Sequence, residues 1–385
     1  MYSNRKKFLI VTASIGSGHN RAAEAIAEEI KIKYPQAQVN IIDFMSSNTA
    51  YLNGFLKVAY LKMLNLVPDM YEFLYTFTSG RMRGVSLQSL LALTMKNDMA
   101  ALIEKYEADA VICTHPFPCA AAAYLKKTQY SQLLLAGVIT DFAVHQLWVY
   151  KDVDLYFVAN DYVKETLSGR GIPEWKIHAT GIPIASLFRQ HFDKPKLIEQ
   201  FALQESAPII LIMGGGLGLG GVKLALTNLE KTTRCLQILV VAGENTSLWA
   251  DIKKWTELSK HKIQVWGFHH HVQELMAVST LLISKPGALT ISEALAMELP
   301  MILNEPIPGQ EKENATYVEN IGAAVWVKDR NAIFQIVEDV LDNNDKLLSM
   351  REQAKKYKKP EAAKDIVGCI ANKLERFCNN DAVSM

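Results

Sequence analysis

Short runs of β-branched and other apolar residues recur along the chain, separated by helix-length stretches in which apolar and charged positions alternate on a longer period. In the first half the runs are KFLIVTAS, QVNIIDF, ADAVICT, QLLLAGVIT, LYFVAN and KIHATG. After residue 208 the rhythm repeats with PIILIMGGG, LQILVVAG, KIQVWGF, TLLISKPG, PMILNEP and AAVWV. Apolar runs bounded by turn residues predict buried strands, and their alternation with amphipathic segments predicts βαβ units and a parallel sheet. The pattern therefore predicts an α/β protein with two doubly wound parallel-sheet domains, in which ligands sit beyond the carboxyl ends of the strands.

Between the two sets, GIPIASLFRQHFDKPKLIEQFALQESAP opens on a Pro-containing turn and carries mixed charge without a strand pattern. The expected organisation is an N-terminal domain over 1–181, a linker over 182–207 and a C-terminal domain over 208–355. A final helix over 356–385 is expected to pack back on the N-terminal domain. Residues 46–100 break the rhythm. YLNGFLKVAYLKMLNLVPDMYEFLYTF is dense in Leu, Tyr, Phe and Met, with Lys57 and Lys62 within it and Arg81 and Arg83 after it. Two readings stand side by side: an apolar face with basic residues that lies in a bilayer interface, and a pair of core helices.

Composition narrows the partners. Hydrophobic residues make up 49%, charged residues 21%, and the net charge is +1 over 385 residues, so nothing draws the chain globally to nucleic acid. Cys113, Cys119, Cys235, Cys369 and Cys378 form no CxxC pair, which argues against a zinc site or a disulfide framework and fits a reducing cytoplasm. The basic and apolar opening MYSNRKKFLIVTASIG reads as a first strand rather than an export signal. No window reaches the roughly 20 apolar residues of a spanning helix, so membrane contact is expected from the surface.

Three glycine turns follow strands. In VTASIGSGHNRAAEAI, Gly16 and Gly18 flank a turn that ends in His19. With Asp43 closing the second strand it imitates a dinucleotide fingerprint, except that Arg21 stands where the third glycine belongs. In MGGGLGLGG, Gly214, Gly215, Gly216 and Gly218 can bring N–H groups to an anion beside a helix start. In SKPGALTISEALAMELPMILNEPIPGQEKENA, Lys285-Pro286-Gly287 turns into a helix starting near Leu289, and Glu293 can accept two ribose hydroxyls while the helix N-terminus faces a diphosphate. Gln310, Glu311 and Asn314 follow the next strand, with the amides and carboxylates that sugar hydroxyls require. His115, Asp141 and His145 stand at first-half strand ends. His269, His270 and His271 are consecutive and cannot easily converge on one ion, so a loop closing on a nucleotide base is preferred to a metal site.

KPGALTISEALA followed by PIPGQEKENA resembles the nucleotide-sugar site of the family-28 glycosyltransferases of GT-B fold, and in particular the diacylglycerol glycosyltransferases. The likeness extends to ASIGSGHNRAAEAI, GVITDFAVHQLWVYKDVDLYFVANDYVKETL and TGIPI. It implies a GT-B fold, two Rossmann-like domains facing a cleft, with a UDP-sugar on the C-terminal one. Glu293 would then hold the ribose, backbone groups of Phe268 and His269 the uracil, and the glycine loop the diphosphate. Gln310 and Glu311 would contact the donor sugar, with Lys285, Gly287, Ala288, Leu289, Thr290 and Asn314 on the same side. His19 would be the catalytic base or an acceptor-side group, with Asp141 the other candidate base and Gly18, His115 and His145 on the acceptor side. KPGA departs from the PGG of many members, although Ala288 adds only a methyl.

The implied activity is inverting transfer of glucose or galactose from a UDP-sugar to diacylglycerol, or onward to glycosyldiacylglycerol, with no metal or other cofactor. The implied location is the cytoplasm, peripherally on the inner face of an anionic membrane. Rival readings are a related enzyme with a polyprenyl-linked acceptor, a non-catalytic nucleotide-sugar or membrane-binding module, and an NAD-dependent oxidoreductase.

Overall fold

The computed structural model describes residues 5–14, 17–44, 81–216, 218, 221–307 and 309–383, with backbone alone for 81–91 and 377–383. The chain divides into two units, residues 1–186 with 360–385, and residues 187–359.

In the first unit all six expected runs are strands: β1 Lys7–Thr12, β2 Gln38–Asp43, β3 Ala110–Cys113, β4 Leu134–Val138, β5 Leu155–Phe157 and β6 Ile177–His178. They form one parallel sheet in the order β2-β1-β3-β4-β5-β6. Among the described residues up to 186 its α-helices are α1 Gly18–Lys33, α2 Arg81–Tyr106, α3 Pro116–Thr128 and α4 Asp161–Gly169. The second unit holds β7 Ile209–Met213, β8 Gln237–Val241, β9 Lys262–Trp266, β10 Leu281–Ser284, β11 Met301–Leu303 and β12 Ala324–Trp326. They too are parallel, in the order β12-β11-β10-β7-β8-β9. Helices α5 Lys194–Gln200, α6 Val222–Leu229, α7 Thr246–Trp255, α8 Val272–Val278, α9 Ala288–Ala296, α10 Gln310–Asn320, α11 Ile333–Asp342 and α12 Asn344–Tyr357 accompany them. The last helix, α13 Ala362–Val383, returns to the first unit.

Each sheet reverses its winding once, and that reversal places the sites. The first chain path runs from β1 outward to β2 and then back to β3 on the other side of β1, so the switch lies between β1 and β3. In the second unit it lies between β7 and β10. The loops that diverge there leave a crevice at the carboxyl edge, where ligands of such sheets bind.

Both sheets are buried on their two faces. In the first, Phe8, Ile10, Ile112, Leu134, Ala136 and Phe157 pack with Ala23, Ile26 and Ile30 of α1 and with Ile366, Val367, Ile370 and Leu374 of α13. In the second, Ile210, Ile212, Ile238, Val240, Ile283 and Ile302 pack with α6 and α11.

Two expectations change. Residues 187–207, read as linker, belong to the second unit. There Asp193 Oδ1 caps α5 by accepting from Lys196 N–H at 3.2 Å, and Leu197, Phe201 and Leu203 are buried. A helix of two turns is too short to show its period in the sequence. Of the 46–100 segment, Lys57 and Lys62 lie outside the described residues. Arg81 and Arg83 open α2, whose Ala92, Met95, Met99 and Ile103 form a buried stripe at helical spacing, and α2 packs on α3. From Ala92 on, the described side chains of that segment therefore fit the core-helix reading. Among the described residues no helix is long and apolar enough to cross a membrane.

Candidate active site

At the first switch point the β1–α1 turn is braced from β2. Ser14 N–H donates to Asp43 Oδ1 at 3.1 Å, Asn20 Nδ2 donates to Ser14 Oγ at 2.9 Å, and Thr12 Oγ1 donates to Asn20 Oδ1 at 2.9 Å. Asp43, the residue that gave the turn its dinucleotide look, therefore holds the turn itself. Gly18 and His19 begin α1. The His19 Nδ1 lies 2.9 Å from the Thr114 carbonyl oxygen beyond β3 and 2.8 Å from Thr140 Oγ1 beyond β4.

His19 keeps some exposed surface, yet its ring is desolvated enough that burial lowers its pKa to about 4, against a smaller upward pull from the Thr114 carbonyl. The N-terminal turn of α1 works in the same direction, because a helix dipole disfavours a cation there. The imidazole is therefore neutral at physiological pH, with a lone pair to offer.

His115 stands against it, the two rings meeting edge to face with centroids 4.8 Å apart. His115 is buried, caps α3 by accepting from Phe117 N–H at 3.2 Å, and is pushed well below the usual histidine pKa by burial and by His19. It shapes the wall around His19 while anchoring a helix. His145 is likewise buried and accepts from Leu147 N–H at 3.2 Å. Asp141 directly follows Thr140 and is half-buried. Neither Thr114 nor Thr140 stands in a motif that marks it in the sequence. The only signal available was their place after the neighbouring strands β3 and β4.

At the second switch point the glycine loop after β7 meets the turn after β10. Gly215, at φ +71°, leaves room for Lys285, whose Cε would lie 3.1 Å from any Cβ there. Gly218, at φ +64°, passes so close to the Ala242 carbonyl that a side chain could not fit. The loop's amides are not equivalent. Gly214 N–H donates to Val241 O at 3.3 Å and Gly218 N–H to Gly215 O at 3.0 Å. Those two, expected to face an anion, instead close the loop.

Across the switch, Ser284 Oγ donates to Met213 O at 3.0 Å, and Gly287 caps α9 without a side-chain hydrogen bond, leaving the helix start open. The helix begins at Ala288, so Leu289, Thr290 and Glu293 occupy its first two turns, with Thr290 and Glu293 three apart on one face. Lys285 pairs with Glu311 in the first turn of α10, both side chains under a fifth exposed, and Glu311 Oε2 also accepts from Ile307 N–H at 2.8 Å. Gln310 starts the same helix. Asn314, expected at the sugar, is fully buried and donates from Nδ2 to Pro286 O at 3.3 Å, so it braces the 285–287 turn from behind.

After β9, Phe268 is exposed and His269 stacks at a tilt on Trp266 with centroids 5.5 Å apart. Burial, and then the neighbouring histidines, lower the His269 pKa. His270 packs on Phe268 instead, so successive rings alternate in direction. Among the described residues no three His, Cys, Asp or Glu side chains form a group able to hold a metal ion. Asn304, next after β11, carries no sequence signal of its own. It is 2% exposed, neither side-chain polar atom has a hydrogen-bond partner, and its Nδ2 lies against Gly221 at the start of α6.

Residues 19–184 match the model of the monogalactosyldiacylglycerol (MGDG) synthase family, and residues 209–366 match the glycosyltransferase family 28 C-terminal domain. Over 364 residues, 94% of this chain and 93% of the relative, the protein is 34% identical to a processive diacylglycerol beta-glucosyltransferase of Bacillus cereus strain B4264. The chain belongs to the family of the processive diacylglycerol beta-glucosyltransferases. A Bacillus thuringiensis member, from strain Al Hakam, is 33% identical over the same coverage.

Solved structures place this family member in the GT-B fold. MurG of Acinetobacter baumannii superposes with a TM-score of 0.61 at 17% identity, over 96% of this chain and all of that one. A UDP-GlcNAc 2-epimerase of Neisseria meningitidis, bound to UDP-GlcNAc, gives 0.58 at 15% identity over 95% of this chain and all of its own. Transferase and epimerase share the architecture, so the fold alone does not choose the reaction.

Proposed function

We infer that this protein transfers a hexose from a UDP-sugar to diacylglycerol, forming a glycosyldiacylglycerol. The observation that carries the reading is the 34% identity across 94% of the chain to a diacylglycerol beta-glucosyltransferase. The geometry agrees, since each sheet opens its switch point onto chemistry suited to one half of such a reaction.

On the donor side, Glu293 would accept the ribose hydroxyls, and backbone groups at Phe268 and His269 would meet the uracil. The Gly215 and Gly216 amides and the uncapped start of α9 would face the diphosphate. Gln310 and Glu311 would contact the hexose, and Lys285, already engaged by Glu311, would add positive charge beside the phosphates. As the acceptor oxygen bonds to the anomeric carbon, the bond from that carbon to the diphosphate breaks and UDP departs with the electron pair. Displacement from the far face inverts the anomeric centre. Oriented N–H groups, a helix dipole and Lys285 can stabilise the developing charge without a divalent ion. We therefore propose that activity survives chelation by EDTA. The acceptor's proton goes to His19, with Asp141 as the alternative base.

Diacylglycerol presents its hydroxyl at the lipid surface, so the enzyme works as a peripheral protein there, and an anionic inner leaflet is the proposed surface. Glucose is the proposed donor sugar, and a glycosyldiacylglycerol product re-entering as acceptor would give longer headgroups. Incubation with diacylglycerol vesicles and either UDP-glucose or UDP-galactose, with lipids resolved by chromatography, tests donor, acceptor and repeat addition together. Release of UDP with no glycolipid from either donor would sink the reading. Conversion of the UDP-sugar itself would point to an epimerase instead.

A further inference from the structure

We propose that Thr140 is a positioning residue for His19, sharing the Nδ1–H with the Thr114 carbonyl so that Nε2 is the atom that takes the acceptor's proton. The proposal rests on reading His19 as the base and adds how that base is held.

The tautomer follows from the partners. A carbonyl oxygen can only accept, so a nitrogen 2.9 Å from Thr114 O must carry the hydrogen. With that hydrogen in place, Thr140 Oγ1, 2.8 Å from the same nitrogen, accepts as well. The opposite tautomer would set the Nδ1 lone pair against those of the carbonyl. The basic lone pair is therefore on Nε2, as it is wherever a second group fixes the far nitrogen of a catalytic histidine.

Both orienting groups sit at strand ends. Thr114 follows β3, Thr140 follows β4, and those two strands are hydrogen-bonded neighbours. The ring is thus held from rigid backbone, and the edge-to-face contact with His115 limits its rotation. His115 accepts at Nδ1 from Phe117 N–H, so its own proton is on Nε2 and it stands as a neutral neighbour. Charged groups around this turn include Asp43, bound to Ser14 N–H, Asp141, next to Thr140, and Arg21, which pairs with Glu24 along α1.

Neutral orienting groups give a different device from a carboxylate partner. They do little to raise the basicity of the resting imidazole, whose pKa is about 4. Once the acceptor's O–H proton moves to Nε2, the Nδ1–H bonds become charge-assisted and strengthen. The support is then largest in the transition state, where it accelerates the reaction.

The test uses the full chain with diacylglycerol vesicles, comparing Thr140→Val, Thr140→Ser and His19→Ala. Thr140→Val keeps the shape but removes the acceptor. We expect kcat to fall about 10- to 100-fold, the size of losing a hydrogen bond to a charged group. KM for the UDP-sugar should stay within about twofold, since the donor site is untouched. The acid limb of the kcat/KM profile should move to lower pH, because the imidazolium has lost a partner. Thr140→Ser should restore most of the rate. A Thr140→Val protein with wild-type kcat and pH profile, beside an inactive His19→Ala, overturns the positioning role alone. An active His19→Ala overturns the base reading and this proposal together. Nitrogen NMR of histidine-labelled wild-type protein gives an answer independent of activity and of how the variants fold. It should find His19 protonated at Nδ1, and protonation at Nε2 would overturn the assignment.

Discussion

His19 and His115 sit neutral at the β1 and β3 ends because the protein removes the water that would stabilise their cations, and that has a consequence for acid stability. Unfolded, each would titrate near 6.5, whereas folded His19 takes a proton only near pH 4 and His115 lies well below its ordinary value. Between those limits the unfolded chain binds protons that the native one does not, so stability falls as pH drops from about 6.5 towards 4. The slope is about 1.4 kcal/mol per pH unit for each such group. Urea unfolding at pH 7 and pH 5 should show a smaller loss for His19→Gln than for the wild type, and equal losses would refute the account.

Asn304 offers a second residue-scale check. Its buried amide lacks partners, and an unmet polar group of this kind costs about 1–3 kcal/mol, so Asn304→Leu should leave the ligand-free protein as stable or more stable. A clear drop in thermal midpoint would mean that the amide has a partner after all. Neither feature was legible in the sequence. A threonine or asparagine after a strand is common, and whether its polar atoms are paired depends on residues tens of positions away. Glu293 and the 285–287 turn were legible because a single strand–turn–helix passage carries them. The unequal roles of the Gly214 and Gly215 amides were not, since they depend on how the loop closes against β8.

At the scale of elements, one side chain of β5 ties down the end of the strap over 141–150, whose Phe142, Val144, Leu147 and Trp148 are also buried. Tyr156 donates its hydroxyl to Trp148 O at 2.6 Å and accepts from Tyr150 N–H at 2.9 Å. Its ring has room because residue 137 on β4 is glycine, where a Cβ would come within 3.0 Å of Tyr156 Cε1. Tyr156→Phe should cost about 1–3 kcal/mol in denaturant unfolding by leaving Trp148 O and Tyr150 N–H without this partner. Gly137→Ala should destabilise by a similar amount through crowding, about 1–3 kcal/mol. If both variants unfold with the wild type, the strap is held elsewhere. The central strands could be read from the sequence because parallel strands covered on both faces are continuous apolar runs, and the partly buried edge strands β2 and β9 through their place in the same alternation. Helix α5 could not, since its burial depends on the second sheet and its two turns carry too few residues to establish a period.

For the whole molecule, the main fact is that the first unit is built from both ends of the chain. Ile366, Val367, Ile370 and Leu374 of α13 complete the core that Ile26 and Ile30 of α1 begin. Truncation after Lys359 would bare that face, so the shortened protein should lose the cooperative unfolding of the first unit while the second, closed over 187–359, still melts as a unit. Limited proteolysis with mass mapping would check this, the expectation being cuts confined to residues before 187. Uniform resistance across both units would show α13 to be dispensable.

The same return of the chain has a temporal side. On the ribosome the first sheet emerges well before α13, the helix that seals it. At about 5–20 residues per second, the residues between them take roughly ten to forty seconds to synthesise. For that interval the nascent first unit carries an open apolar face while residues 187–359 can already close, so the unit whose strands are made earlier is completed after the other.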